Sequence, residues 1–168
     1  PDATREADRA PIDAGAPAIQ SEPLALAAPG TFFDYAPVHL LTNATLARLR
    51  ELYTSGEWQP RRFRPNIVLA ADESQGYVEL EWLGQVLASA GGLRLHLIDP
   101  APRCVIPTLA QAGLPRDPGI LRTLAAHTRA ASLTLAPGAE FTAVVGIYAP
   151  VRQAGALRVG DTLVLEMT

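Results

Sequence analysis

The sequence predicts a mainly β domain, a β-barrel with a few short α-helices at its periphery. Three observations lead there. Short apolar or alternating runs recur at residues 37–41, 67–70, 77–82, 86–88, 93–98, 143–150, 157–159 and 162–167. Glycine and proline, 13 and 15 in this chain, punctuate the intervals with turns. Only two segments show helical spacing, with no strand–helix alternation of the nucleotide-binding kind and no internal repeat.

Each element has a local reason. Residues 1–30 hold five prolines, many alanines and little large apolar surface, which reads as a linker or disordered arm. Thr42 or Asn43 caps a helix over 44–53, with Leu46, Leu49 and Tyr53 on one face. The β-branched run at 67–70 reads as a buried strand, and Pro65 biases Arg64 toward an extended backbone. In the strand expected at 77–82, Glu79 and Glu81 share a face and read as a solvated pair rather than as an acid–base couple. Runs 86–88 and 93–98 form a hairpin around Gly91-Gly92, with Leu93, Leu95 and Leu97 inward and Arg94 and His96 toward water. Pro100 and Pro102 argue for an irregular, rigid segment before Cys104. Asp117 caps a second helix from Pro118 to about Thr128, with Leu121, Leu124 and Thr128 as its stripe. A strand at 143–150 follows, and Gly160-Asp161 turns the chain between the last two strands.

Composition excludes several functions. All fourteen cationic side chains are arginine, so Schiff-base, pyridoxal-phosphate and P-loop lysine chemistry are ruled out. A single cysteine rules out an internal disulfide, a thiolate-caged zinc and an iron–sulfur cluster held by one chain. The net charge of −3 lies in the arm, since residues 31–168 carry twelve acids and twelve arginines. The body therefore lacks the basic field that nucleic acids require. No run of about 20 apolar residues suggests a membrane span. The acidic flank of residues 24–28 is wrong for a signal peptide, so a cytoplasmic location is expected. The start at Pro1 reads as processing or truncation.

Cys104 lies in Pro102-Arg103-Cys104-Val105-Ile106-Pro107. Taken alone, a lone cysteine reads as a small buried hydrophobe. The thiolate, however, is both nucleophile and metal ligand, and a neighbouring cation favours it.

Four segments in order change that reading. They are Phe33-Asp34-Tyr35-Ala36-Pro37-Val38-His39-Leu40-Leu41, Arg62-Phe63-Arg64-Pro65-Asn66, Glu79-Leu80-Glu81-Trp82-Leu83-Gly84 with Pro102-Arg103-Cys104, and Val145-Gly146-Ile147-Tyr148-Ala149 leading to Gly160-Asp161. Over about residues 31–168 the chain resembles the MOSC domain, named for the C-terminal part of molybdenum cofactor sulfurases and found in the amidoxime-reducing component and its bacterial relatives. The resemblance implies a barrel that binds molybdenum cofactor, a Mo-molybdopterin, with Cys104 as metal ligand and catalytic residue. It implies cofactor contacts from Asp34, Arg64, Asn66 and Arg103. It further implies reduction of N-hydroxylated small molecules with electrons from a separate donor protein or domain. The alternatives are a sulfur or cofactor carrier using a Cys104 persulfide, and a barrel remnant serving as a binding module. Trp82, Gly84, Gly146, Gly160 and Asp161 read as packing and turn residues, and Arg61 and Arg62 as ordinary surface arginines.

Two departures from the family pattern bear on this. Pro102 stands where reductase relatives can carry a serine. The early barrel strands with their basic contacts are not apparent before Phe32, so the chain is expected to be a C-terminal portion, or to be completed by a second chain or by its own copy.

Overall fold

The computed structural model describes Phe33 and residues 35–166; the arm over 1–30 and Asp34 lie outside the described residues. The described chain runs β1 (Val38–Thr42), α1 (Asn43–Leu52), β2 (Ile67–Leu69), β3 (Val86–Ser89), β4 (Arg94–His96), β5 (Asp99–Pro102), α2 (Pro118–His127), β6 (Arg129–Ala131), β7 (Glu140–Thr142), β8 (Val144–Ala149), β9 (Val151–Gln153) and β10 (Leu163–Glu166). It is mainly β, with ten strands among the described residues where the sequence suggests about seven. Hydrogen bonds order them as β2-β1-β8-β5, β10-β3-β4-β9 and the two-stranded ribbon β6-β7.

Both helices start where their caps place them. The Thr42 hydroxyl accepts from Thr45 N–H at 3.2 Å, and α1 buries Ala44, Thr45, Leu46 and Leu49. Asp117 accepts from Gly119 N–H at 2.8 Å with Pro118 in the first turn, and α2 buries Gly119, Ile120 and Leu124. A Cβ added at Gly119 would lie 2.6 Å from the Tyr53 ring, so this glycine sets how closely the two helices approach. The core joins Leu41, Leu46, Leu49, Trp58, Phe63, Ile120, Leu124 and Val145 on one side of the first sheet. Leu40, Leu87, Leu95, Leu97, Ile147 and Ala149 form the core between the two sheets.

Several expectations need correction. Residues 78–82 form a 3₁₀ turn, not a strand, and Glu79 is buried rather than solvated. Its carboxylate accepts from Thr42 Oγ1 at 2.6 Å and from Thr45 Oγ1 at 2.6 and 2.7 Å, tying this turn to the start of α1. Burial pushes its pKa up, against the opposing effect of those hydroxyl donors. Asp99–Pro102 is a strand after all. It lies at a sheet edge, where a proline's missing N–H breaks no ladder. β2 is likewise an edge strand, only partly buried, and it pairs in parallel with β1 through α1, a β-α-β unit that the sequence does not signal. Residues 157–159 form no strand. Arg64 is not extended: its φ is +54°, and its N–H bonds to Pro60 O at 3.2 Å. It closes a 3₁₀ turn in the left-handed position that glycine usually fills, which outweighs the bias from Pro65.

Candidate functional site

Strand register brings the site together. β8 is buried over its whole length between β1 and β5. In its ladders His39 lies opposite Tyr148, and Tyr148 opposite Asp99. A Cβ at Gly146 would lie 2.4 Å from Leu40 O and 2.5 Å from His39 Nε2, and its φ is +77°. Only glycine lets β8 pass this close to His39. His39 Nε2 donates to Val145 O at 2.9 Å, and its ring lies 5.9 Å from that of Tyr148. The Asp99 carboxylate accepts from the N–H groups of Leu133, Thr134 and Leu135, which fixes the loop beside Tyr148.

At this end of the sheet opens a cleft of about 530 Å³. Arg64, Asn66, Arg103 and Cys104 all line it, so the structure gathers four of the five expected site residues; the fifth, Asp34, is outside the described residues. Cys104 is exposed, which overturns its reading as a buried hydrophobe. Asn66 has a structural task as well. Its Oδ1 accepts from His39 N–H and its N–H donates to His39 O, both at 2.8 Å, so toward a ligand it offers the Nδ2 donor. Arg103 donates from Nη2 to Phe63 O at 3.0 Å, while its buried Nε has no hydrogen-bond partner among the described residues. Its backbone N–H bonds to Ala143 O at 2.9 Å, and Ala143, like Arg64, is a non-glycine residue at positive φ, +56°. Two strained residues thus flank the cysteine loop, a pattern that recurs at functional sites.

Sequence reasoning missed other contributors. His39, Phe63, Ile106 and Tyr148 also line the cleft, and only strand register could have placed the first and last of them together. Arg62 is not a surface residue. It is fully buried, donating from Nε to Glu57 O at 2.8 Å, from Nη1 to Pro107 O at 3.1 Å and from Nη2 to Pro115 O at 3.0 Å. It therefore pins both ends of the loop that follows Cys104. Its neighbour Arg61 is exposed as expected.

Among the described residues no three His, Cys, Asp or Glu side chains come together to hold a metal ion. The donor set is one thiol, with guanidinium and amide donors around it. Such a set suits a metal that arrives already held by an anionic organic group, with the protein adding one soft ligand. The orphaned Arg103 Nε–H and the open Asn66 Nδ2 fit the same group, as donors for phosphate or heterocycle oxygens.

Fold and site together define a mainly β domain that presents one thiol in a cleft between cations. The family model for the MOSC domain matches residues 28–164. The chain belongs to the MOSC domain family, a family associated with molybdenum cofactor binding and sulfurase-like proteins. A search of curated proteins found no match to it. No helix among the described residues is long and apolar enough to cross a membrane.

Proposed function

We propose that the chain binds molybdenum cofactor in the 530 Å³ cleft and reduces N-hydroxylated small molecules with electrons from a separate donor protein or domain. The carrying observation is the convergence of Cys104, Arg103, Arg64 and Asn66 on one cleft from two distant segments of a MOSC chain. Cys104 supplies the thiolate ligand. Arg103 and Arg64 hold the anionic parts of the cofactor, Arg64 from a fixed left-handed backbone position. Asn66 donates from Nδ2 at the cleft wall, and Asp34 is assigned to the pterin side by its position in the motif. When bound, the cofactor supplies two-electron redox chemistry at its metal. The side chains of His39, Phe63 and Tyr148 wall the cleft and restrict water on that side.

A second reading is favoured by the exposure of the thiol. Cys104 would carry a sulfane sulfur, taken by its thiolate from a donor persulfide that leaves as a thiolate. The open strands at the sheet margins also support pairing with a second chain or a second copy.

The test is molybdenum and pterin content of protein from a cofactor-competent host, for the parent and for Cys104→Ala. We expect stoichiometric metal in the parent and its loss in the variant. Metal retained by the variant removes Cys104 from the ligand role, and absence from both overturns cofactor binding. An added sulfur atom on Cys104 in the mass spectrum would favour the carrier.

A further inference from the structure

A second, open groove of about 320 Å³ adjoins the cleft across the cysteine loop, lined by Val105, Pro118, Leu121 and Ala125 together with Arg116 and Arg122. We propose that it binds the apolar, carboxylate-bearing part of a small molecule. Arg116 and Arg122 take the carboxylate, and Val105, Leu121 and Ala125 take the carbon skeleton. Its further assignment as the subsite for the tail of a substrate whose head reaches Cys104 rests on the function proposed above; anion binding by the groove does not.

The volume falls in the range of small-molecule sites, about 300–1,000 Å³. One wall is a single face of α2: Pro118, Leu121, Arg122 and Ala125 follow the 3, 4 and 7 spacing of one helix side. The other side of α2 is spent in the core through Ile120 and Leu124, so this is a second, outward stripe of the same helix. Opposite it stands Val105, 54% exposed, presented by a turn in which Thr108 Oγ1 donates to Val105 O at 2.7 Å.

The cations are available. Neither guanidinium makes an ion pair or hydrogen bond to another described residue. The adjacent acid, Asp117, makes no ion pair with either arginine; its Oδ1 accepts from Gly119 N–H at 2.8 Å and from Tyr53 Oη at 3.2 Å. Arg61, by contrast, is held by Ala112 O at 2.8 Å. Two unpaired planar forks beside an apolar wall match a carboxylate on a hydrocarbon better than a neutral or cationic ligand. The distance to the chemistry is short. Cys104 lines the cleft and Val105 lines the groove, and consecutive Cα atoms are about 3.8 Å apart.

The experiment is a titration of the isotope-labelled full chain with octanoate, octanol and octylamine, followed through backbone amide shifts. Octanoate is expected to move the amides of Val105, Leu121 and Ala125 and to bind about tenfold tighter than octanol, as a charge-assisted pair allows. The double variant Arg116→Gln/Arg122→Gln should lose that preference while keeping octanol binding and its thermal midpoint. Equal binding of octanoate and octanol, a preference that survives the double variant, or unmoved amides at those three residues overturns the proposal. Measuring the molybdenum content of the parent chain alongside its titration separates the two readings. A chain without metal that still prefers octanoate sinks the cofactor reading alone, and a metal-loaded chain without that preference sinks the groove alone.

Discussion

In the sheet β2-β1-β8-β5 every residue of β8 is buried, whereas in the sheet β10-β3-β4-β9 all three residues of β9 are exposed and Val164 of β10 is 60% exposed. The first sheet carries the site, and the polar groups in it and in the turns around the site are tightly paired: Asp99 of β5 to three amides, Arg62 in the turn before β2 to three carbonyls, and Glu79 in the 3₁₀ turn to two hydroxyls. The second holds its charges at the surface, as in the half-exposed pair of Arg94 with Glu166. The difference teaches where precision is needed. A thiol that must meet a ligand at fixed geometry is mounted on a loop tied to the rigid sheet. The other sheet encloses the core and leaves its outer strands open.

Two arginines give the sharpest test of this contrast. Arg62→Met removes three guanidinium hydrogen bonds, the one to Pro107 O fully buried, and should cost roughly 3–5 kcal/mol of unfolding free energy. Arg94→Met, in the half-exposed pair, should cost about 1 kcal/mol or less. Chemical denaturation of both variants measures the gap, and similar losses would erase the distinction between the site region and the second sheet.

A glycine pair repeats the contrast at smaller scale. Gly146→Ala meets backbone at 2.4 Å and a left-handed φ, and should cost about 3 kcal/mol. Gly160→Ala shares the left-handed φ but meets nothing within 4 Å, and should cost about 1 kcal/mol. Thermal midpoints of the two variants check the ordering.

The smallest effect is read through pH. Because burial raises the Glu79 pKa, the folded chain holds this proton to higher pH than the unfolded chain does. This contribution to stability is complete below the ordinary glutamate pKa and is lost as pH rises through the raised one. Glu79→Gln removes that titration, so its denaturation midpoint should fall less than the parent's across the same interval. Parallel profiles would show that Glu79 does not titrate in this way.

Local chemistry is legible in the sequence. Thr42 and Asp117 mark their helix starts because a capping oxygen next to free amides is a short-range interaction. The 86–98 hairpin follows from alternation around two glycines, and the motif residues Arg64, Asn66, Arg103 and Cys104 stand out as a set. Arg62 and Glu79 mislead for one reason. A charged side chain in a sequence looks solvated, and only long-range partners at Pro107, Pro115, Thr42 and Thr45 make its burial affordable.

The sequence by itself therefore determined the β-rich class, both helices and the chemical types at the site. Tertiary structure alone decided that Cys104 is exposed in a cleft, that His39 faces Tyr148 across two strands, and that Arg64 adopts a left-handed backbone. Each of these depends on register and loop closure between residues far apart in the chain, which local propensity does not encode.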